Sequence, residues 1–213
     1  VAHASIACFF GDTAETMMAF AATCEPDIPR IALVDFNNDS VKDSLLVMQR
    51  MFTRYRELID SGNESEAKRY QLYAIRLDTS SSIRDVSVPP LGAPELDMGV
   101  NPRLVFIVRN AIDSAWYKWQ LPRKWKDRAR EWCESVKIVA SGGFSPSKIL
   151  RFEKLDVPVD IFAVGSSLFA NDGPRVTDFT SDITQVKING EWQAMSKVGR
   201  NRGHNPELEL VTE

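Results

Sequence analysis

The residues best suited to chemistry stand where short apolar runs end. Val136–Ala140 runs into Ser141-Gly142-Gly143, and Val159–Val164 runs into Gly165-Ser166-Ser167. Arg30–Phe36 carries Asp35 near its end, and Tyr70–Leu77 delivers Arg76, followed by Asp78 and Thr79. His3 stands before the first helical pattern. Glycine lets a backbone come close to a ligand, and successive N–H groups there form an anion-binding nest. One such loop is adequately explained as a turn, whereas two after adjacent strands favour one phosphate held between them. Arg76 can grip a pyrophosphate or a carboxylate through paired hydrogen bonds, or form a local ion pair with Asp78. Asp35 and Asp78 can bind ribose hydroxyls or hold Mg²⁺, and Asp35 can equally cap the next turn. His3 can act as acid, base or nucleophile, or simply pack. The set as a whole suits a sugar phosphate carrying a second anionic group.

Elements of defined type must position these groups. The apolar runs are β-branched, as in strands covered on both faces of a parallel sheet. Between the last two, Ser145 suits an N-cap and Pro146 a first helical position. Ile149, Leu150, Phe152 and Leu155 supply an apolar stripe, which completes a β-α-β unit. A helix is expected from about Ala4 to Cys24, with Phe9, Phe10, Met17 and Phe20 sharing a buried surface. A second, from about Val41 to Asp60, has Ser40 as its cap and packs through Leu45, Leu46, Val47, Met51, Phe52 and Leu58. Pro102–Asp113 and the Trp-rich Pro122–Glu134 read as further helices, and Ser61–Lys68 as an exposed stretch. Asp85–Asn101, rich in proline and glycine, reads as a long surface loop. Asn189-Gly190 joins Ile183–Ile188 to Glu191–Ser196 in a hairpin. Alternating strands and helices define an α/β chain with a parallel sheet. Four parallel strands are readable where a closed barrel needs eight, so the expectation is an incomplete TIM-like (β/α) barrel. Residues 1–182 form its barrel portion, and residues 183–213 a hairpin and polar tail.

Bulk properties narrow the function classes. The 213 residues are 44% hydrophobic and 26% charged, as in an ordinary globular protein. A net charge of −3 argues against a nucleic-acid groove. Trp116, Trp119, Trp125 and Trp132 are therefore expected in a core or an interface rather than stacked on bases. No apolar run is long enough to span a membrane, and no signal-peptide pattern opens the sequence. Cys8, Cys24 and Cys133 are scattered and in no metal-ligand spacing, which suits a reducing, cytoplasmic compartment.

At these residues the chain resembles nicotinate phosphoribosyltransferase, of the type II phosphoribosyltransferase group, over nearly its whole length. Val1-Ala-His-Ala-Ser is similar to the end of that family's G-T-x-A-H motif, so the sequence begins in mid-motif, as a piece of a longer chain would. Leu33-Val-Asp-Phe-Asn-Asn-Asp is similar to its L-V-D-T-Y-D strand end, with Phe36 in place of the frequent threonine. Arg76-Leu-Asp-Thr-Ser-Ser-Ser resembles its R-L-D-S/T motif. Lys137-Ile-Val-Ala-Ser-Gly-Gly and Phe162-Ala-Val-Gly-Ser-Ser resemble its two phosphate-binding strand ends. The resemblance implies a barrel completed by an α+β portion upstream of Val1, and a homodimer or higher homo-oligomer. It implies formation of nicotinate mononucleotide and pyrophosphate from nicotinate and phosphoribosyl pyrophosphate, with ATP as co-substrate and Mg²⁺ accompanying the polyphosphates. His3 then matches a histidine phosphorylated by ATP. Arg76 and Asp78 match residues at the pyridine and pyrophosphate end, with Asp35 and Thr79 beside the substrate. Ser141, Gly142, Gly143, Gly165, Ser166 and Ser167 match the 5′-phosphate site. The segment Ser196-Lys-Val-Gly-Arg-Asn-Arg-Gly-His-Asn-Pro departs from the family pattern, leaving Lys197 and Arg200 without a role and His204 on the surface. Alternatives are a related transferase acting on quinolinate or nicotinamide, with Arg76 the evident cation for a pyridine carboxylate, and a non-catalytic barrel subunit.

Overall fold

Parallel pairing of the short β-branched runs sets the architecture. This computed structural model describes residues 1–168 and 181–200. In chain order, α1 (His3–Cys8) and α2 (Thr13–Thr23) precede β1 (Arg30–Leu33), α3 (Ser40–Asp60), α4 (Glu64–Ala67) and β2 (Leu72–Leu77). Then come α5 (Pro94–Asp97), α6 (Pro102–Asp113), α7 (Lys126–Ser135), β3 (Lys137–Ala140), α8 (Pro146–Lys154) and β4 (Ile161–Phe162). The strands β5 (Gln185–Ile188) and β6 (Glu191–Ala194) follow. β1 to β4 form one parallel sheet in sequential order, and β5 and β6 form an antiparallel pair. The class is α/β, as the alternating patterns indicate.

The register explains how the sheet is covered. Ala32, Ile75 and Ile138 lie side by side, and so do Leu33, Arg76, Val139 and Ile161. Successive side chains in a strand point to opposite faces, so these two rows face opposite ways. The first row enters the main core with Val47, Met51 and Phe52 of α3, Val105 and Val108 of α6, and Trp132 of α7. On the second face Leu33 packs with Ile6, Ala7 and Phe36, and Ile183, Val186 and Met195 lean on that smaller cluster. Arg76 and Ile161, further along the same row, stay accessible.

Several elements differ from the sequence reading. The helix expected from Ala4 to Cys24 is two helices. Phe10 (φ 57°) and Gly11 (φ 82°) enter the left-handed region and break it, and Asp12 restarts it by accepting from the Glu15 N–H. Phe10 is consequently 62% exposed, while Met17 is fully buried. Asp39, not Ser40, caps α3, accepting from the Lys42 N–H. Ser40 instead donates its N–H and its hydroxyl to Asp85. Leu46 of α3 is exposed. On α8, Phe152 turns inward onto Phe144 and Phe162, which leaves Leu150 and Leu155 outside.

The stretch from Asp85 to Asn101 is anchored rather than free. Asp85 is fully buried, Asp97 accepts from the Leu91 and Gly92 N–H groups and pairs with Arg103, and Asn101 caps α6. Buried carboxylates here supply the partners that the loop backbone lacks. Glu64–Ala67, within the stretch expected to be exposed, is a short helix with Ala67 buried. The tryptophans pack as expected. Phe52 stacks on Trp119 at 4.9 Å between centroids and meets Trp125 and Trp132 edge-on. Asn189 (φ 50°) and Gly190 (φ 90°) both take the positive φ that a two-residue hairpin turn of type I′ demands. The end of the apolar stretch at Phe169, and the tail with His204, fall outside the described residues.

Replacing Phe52 by alanine is expected to cost about 3–5 kcal/mol in urea denaturation, the usual range for a buried aromatic. Phe10→Ala, at the helix break, is expected to change stability by no more than about 0.5 kcal/mol. Comparable losses in the two variants would mean that the first two helices pack as one.

Candidate active site

The chain leaves β1 carrying a carboxylate into the protein interior. Asp35 is fully buried, and its Oδ1 lies 2.9 Å from His3 Nε2. An ionised carboxylate only accepts hydrogen bonds, so Nε2 carries the proton and a neutral ring keeps its lone pair on Nδ1. Nδ1 faces Asp182 Oδ1 at 3.7 Å, and the other oxygen of Asp182 pairs with Arg200 Nε at 2.9 Å. Lys197, itself buried, pairs its Nζ with Asp35 Oδ2 and donates to the Asp78 carbonyl at 2.9 Å. Burial alone pushes the Asp35 carboxyl up. The hydrogen bond from His3 and the charge of Lys197 outweigh it and hold the group below the ordinary carboxylate range.

The second strand end forms a polar chain of its own. Arg76 Nε donates to Ser141 Oγ at 3.0 Å, and Arg76 Nη2 lies 3.5 Å from Asp78 Oδ2. Ser141 Oγ lies 2.7 Å from Asp78 Oδ1 and 2.9 Å from the Leu77 carbonyl, with one proton to give to either. The local ion pair and the ligand clamp are therefore not exclusive. One edge of the Arg76 guanidinium is engaged, and the side chain remains 37% exposed.

The two glycine loops, both of glycine and serine, are built differently. Gly142 (φ 90°) and Gly143 (φ 66°) are left-handed, and a Cβ on Gly142 would meet the Thr79 carbonyl at 3.4 Å and Asp78 Oδ1 at 3.6 Å. Among the described residues no partner takes the N–H of Gly142 or Gly143, which leaves both for an anion. Gly165 is outside the left-handed region, and a Cβ there would meet nothing within 4 Å. Backbone conformation does not explain the glycine at that position. Ser166 opens the short turn Ser166–Leu168, and Ser167 Oγ donates to the Phe144 carbonyl at 3.0 Å, tying the second loop to the first.

A cavity of about 420 Å³ opens at these strand ends. From the expected set it takes His3, Asp78, Thr79, Gly142 and Gly143. It adds Ser80, Ser81, Lys148 and Asp182, and it gives Lys197 and Arg200 a place. Arg76 is therefore not the sole cation near the site. The signal for Lys148 was in the sequence: a cation in the first turn of a helix opposes the helix dipole, which an anion bound there would relieve. Nothing local marks Lys197, whose partners Asp35 and Asp78 lie more than 100 residues away in sequence, while Asp182 has one such partner, His3, and a nearer one, Arg200.

Ligand atoms of His3, Asp35 and Asp78 lie within 4.8 Å of one another. The donor set nevertheless does not fit Mg²⁺. Asp35 already faces His3 and Lys197, and Asp78 faces Ser141 and Arg76. A nitrogen ligand also suits a hard cation poorly. Among the described residues no helix is long and apolar enough to cross a membrane.

Asp35→Asn removes the countercharge of a buried lysine and is expected to cost about 3–5 kcal/mol at neutral pH. The folded Asp35 carboxyl lies below its ordinary value, so its contribution is complete above about pH 4 and is lost as pH falls through the folded value. Urea unfolding of both proteins across pH should show the gap at pH 7 shrinking below pH 4. A gap independent of pH would show that Asp35 is not held as an ion.

No protein-family model, no curated protein and no solved structure matches this chain.

Proposed function

We propose that the chain carries the phosphoribosyl-transfer site of a nicotinate phosphoribosyltransferase, on an incomplete (β/α) barrel. The observation that carries this reading is convergence. His3, Asp35, Asp78, Thr79, Gly142 and Gly143 come from segments up to 140 residues apart and gather at one edge of a parallel sheet. The sequential strand order, with one face of the sheet against α3, α6 and α7, supports the barrel geometry. The Gly142-Gly143 nest suits the 5′-phosphate, and the exposed part of Arg76 suits pyrophosphate or the nicotinate carboxylate. In the transfer, the ribose C1–O bond breaks with its electron pair going to pyrophosphate, and the pyridine nitrogen forms the new C1–N bond. Loss of pyrophosphate leaves positive character on the ribose, so placement of charge supplies most of the catalysis. Mg²⁺ arrives with the polyphosphates, held by their oxygens and water rather than by Asp35 or Asp78.

ATP coupling falls to His3. Its Nδ1 lone pair, kept free by the Nε2–H bond to Asp35, attacks the γ-phosphorus as the bond to ADP breaks with its electrons on the ADP oxygen. Water later cleaves the N–P bond. The reading carries a cytoplasmic, homo-oligomeric enzyme whose substrates are nicotinate, phosphoribosyl pyrophosphate and ATP.

The test offers the full-length protein phosphoribosyl pyrophosphate with nicotinate, nicotinamide or quinolinate, with and without ATP. Nicotinate mononucleotide and pyrophosphate are expected, with ATP stimulation. His3→Ala should abolish that stimulation and leave slow transfer, and γ-labelled ATP should leave acid-labile label on His3 of the wild type. Arg76→Lys should not restore what Arg76→Ala loses, because an ammonium lacks the planar fork. Carbon dioxide release from quinolinate would reject nicotinate as the substrate. Phosphate ligand bound without any turnover would reject catalysis.

A further inference from the structure

Asp182 and Arg200 flank one hairpin, Asp182 before β5 and Arg200 after β6. The segment after β6 is anchored at three points. The Met195 N–H donates to the Thr184 carbonyl at 3.0 Å, the Val198 N–H to the Phe36 carbonyl at 2.9 Å, and the Lys197 ammonium to the Asp78 carbonyl at 2.9 Å. Gly199 (φ 86°) then turns the chain, and the Arg200 N–H returns to the Lys197 carbonyl at 3.0 Å. A Cβ on Gly199 would meet Ile83 at 3.1 Å, so the turn lies close against the loop after β2. That turn sets Arg200 Nε 2.9 Å from Asp182 Oδ2, and both residues line the cavity.

The pair also faces the reactive side of His3. Asp182 Oδ1 lies 3.7 Å from Nδ1, the ring nitrogen that does not bond Asp35, and that is too far for a hydrogen bond. A carboxylate that only closed the hairpin would have no reason to face the ring. The neighbouring cations are already committed. Lys197 is buried between Asp35 and the Asp78 carbonyl, and Arg76 is held by Ser141 and Asp78. Arg200 keeps 44% of its side chain exposed. A group added to Nδ1 enters the gap before Asp182. The oxygens of a phosphoryl group there meet a carboxylate, which repels them, and a guanidinium, which can bind two of them side by side. One event therefore weakens the hold of Asp182 on Arg200 and offers Arg200 a stronger partner.

We propose that Arg200 is a binding residue for a phosphoryl group on His3 Nδ1, and that Asp182 is the positioning residue that holds its guanidinium beside Nδ1 until that group arrives. This rests on the reading of His3 as the acceptor of phosphate from ATP, and it adds what receives the phosphoryl group. In the transfer the N–P bond forms at Nδ1 while the bond to ADP breaks with its electrons on the ADP oxygen. Arg200 then passes from carboxylate to phosphoryl oxygens, with no change of protonation in Arg200 or Asp182. Two variants that break the same ion pair should consequently act in opposite directions. Loss of Arg200 removes the countercharge of the phosphoryl group, whereas loss of the Asp182 charge removes a competitor and a repulsion. A pair that merely clamped the hairpin would respond alike to both.

The experiment incubates the full-length protein with γ-labelled ATP, ADP and Mg²⁺ and measures the labelled fraction of His3 as the ATP to ADP ratio is varied. Wild type, Arg200→Met, Arg200→Lys and Asp182→Asn are compared below the lowest of their melting temperatures, so that every variant is folded. A charge-assisted hydrogen bond corresponds to about a tenfold to hundredfold change in an equilibrium constant. Arg200→Met should lower the phosphorylation constant by that much, and Arg200→Lys should retain part of it as a point charge. Asp182→Asn should raise it severalfold. A wild-type value in Arg200→Met, or a value at or below wild type in Asp182→Asn, would overturn the proposal and leave His3 as the acceptor. Absence of label on wild-type His3 at every ratio would overturn that reading, and the proposal with it.

Discussion

A buried carboxylate organises the site. Removing an ion from water is costly unless a countercharge and hydrogen bonds replace the solvent. Asp35 meets both demands with Lys197 on one oxygen and His3 on the other. Those partners come from opposite ends of the described chain, so this one group holds the start of α1, the end of β1 and the segment after β6 together. It also sets the chemistry of His3. Because a carboxylate can only accept, it fixes a proton on Nε2 and turns Nδ1 toward Asp182 and the cavity.

The sheet supplies the rest of the geometry. In a parallel sheet all strands end at the same edge, so every β-to-α connection deposits its first residues there. That is why Asp35, Asp78 and Gly142, each just past a strand, become neighbours. The opposite edge is closed by a different device. The guanidinium of Arg30 is buried and donates to the carbonyls of Ala21, Cys24, Glu25, Ile28 and Arg69, tying α2 and the start of β1 to the turn before β2. A group so fully engaged with backbone has nothing left for a ligand. One edge of the sheet thus serves cohesion, and the other keeps donors available.

The balance of charge at the functional edge is uneven in a useful way. Asp35 is matched by Lys197, Asp78 by Arg76, and Asp182 by Arg200. Among the described residues Lys148, in the first turn of α8, pairs with no carboxylate.

Local pattern determined the α/β class, four parallel strands, the β-α-β unit with Ser145 as cap, and the Asn189-Gly190 hairpin. Each depends on interactions within about ten residues: strand periodicity, a capping hydroxyl, or two residues that tolerate positive φ. Pattern also picked out Asp78, Thr79, Gly142 and Gly143 of the cavity, because residues just past parallel strands must share an edge. The break in the first helix is local, a left-handed Phe10-Gly11 followed by the Asp12 cap, and the apolar pattern from Ala4 to Cys24 obscured it. Tertiary structure alone showed that Asp39 rather than Ser40 caps α3, because Ser40 is claimed by Asp85, 45 residues away. It alone distinguished the two Gly/Ser loops, since Gly142 and Gly143 are left-handed and Gly165 is not. It placed Lys197 and Asp182 as well. Asp35 for Lys197 and His3 for Asp182 lie across the described chain, and a contact that distant leaves no periodicity, spacing or composition by which sequence could announce it.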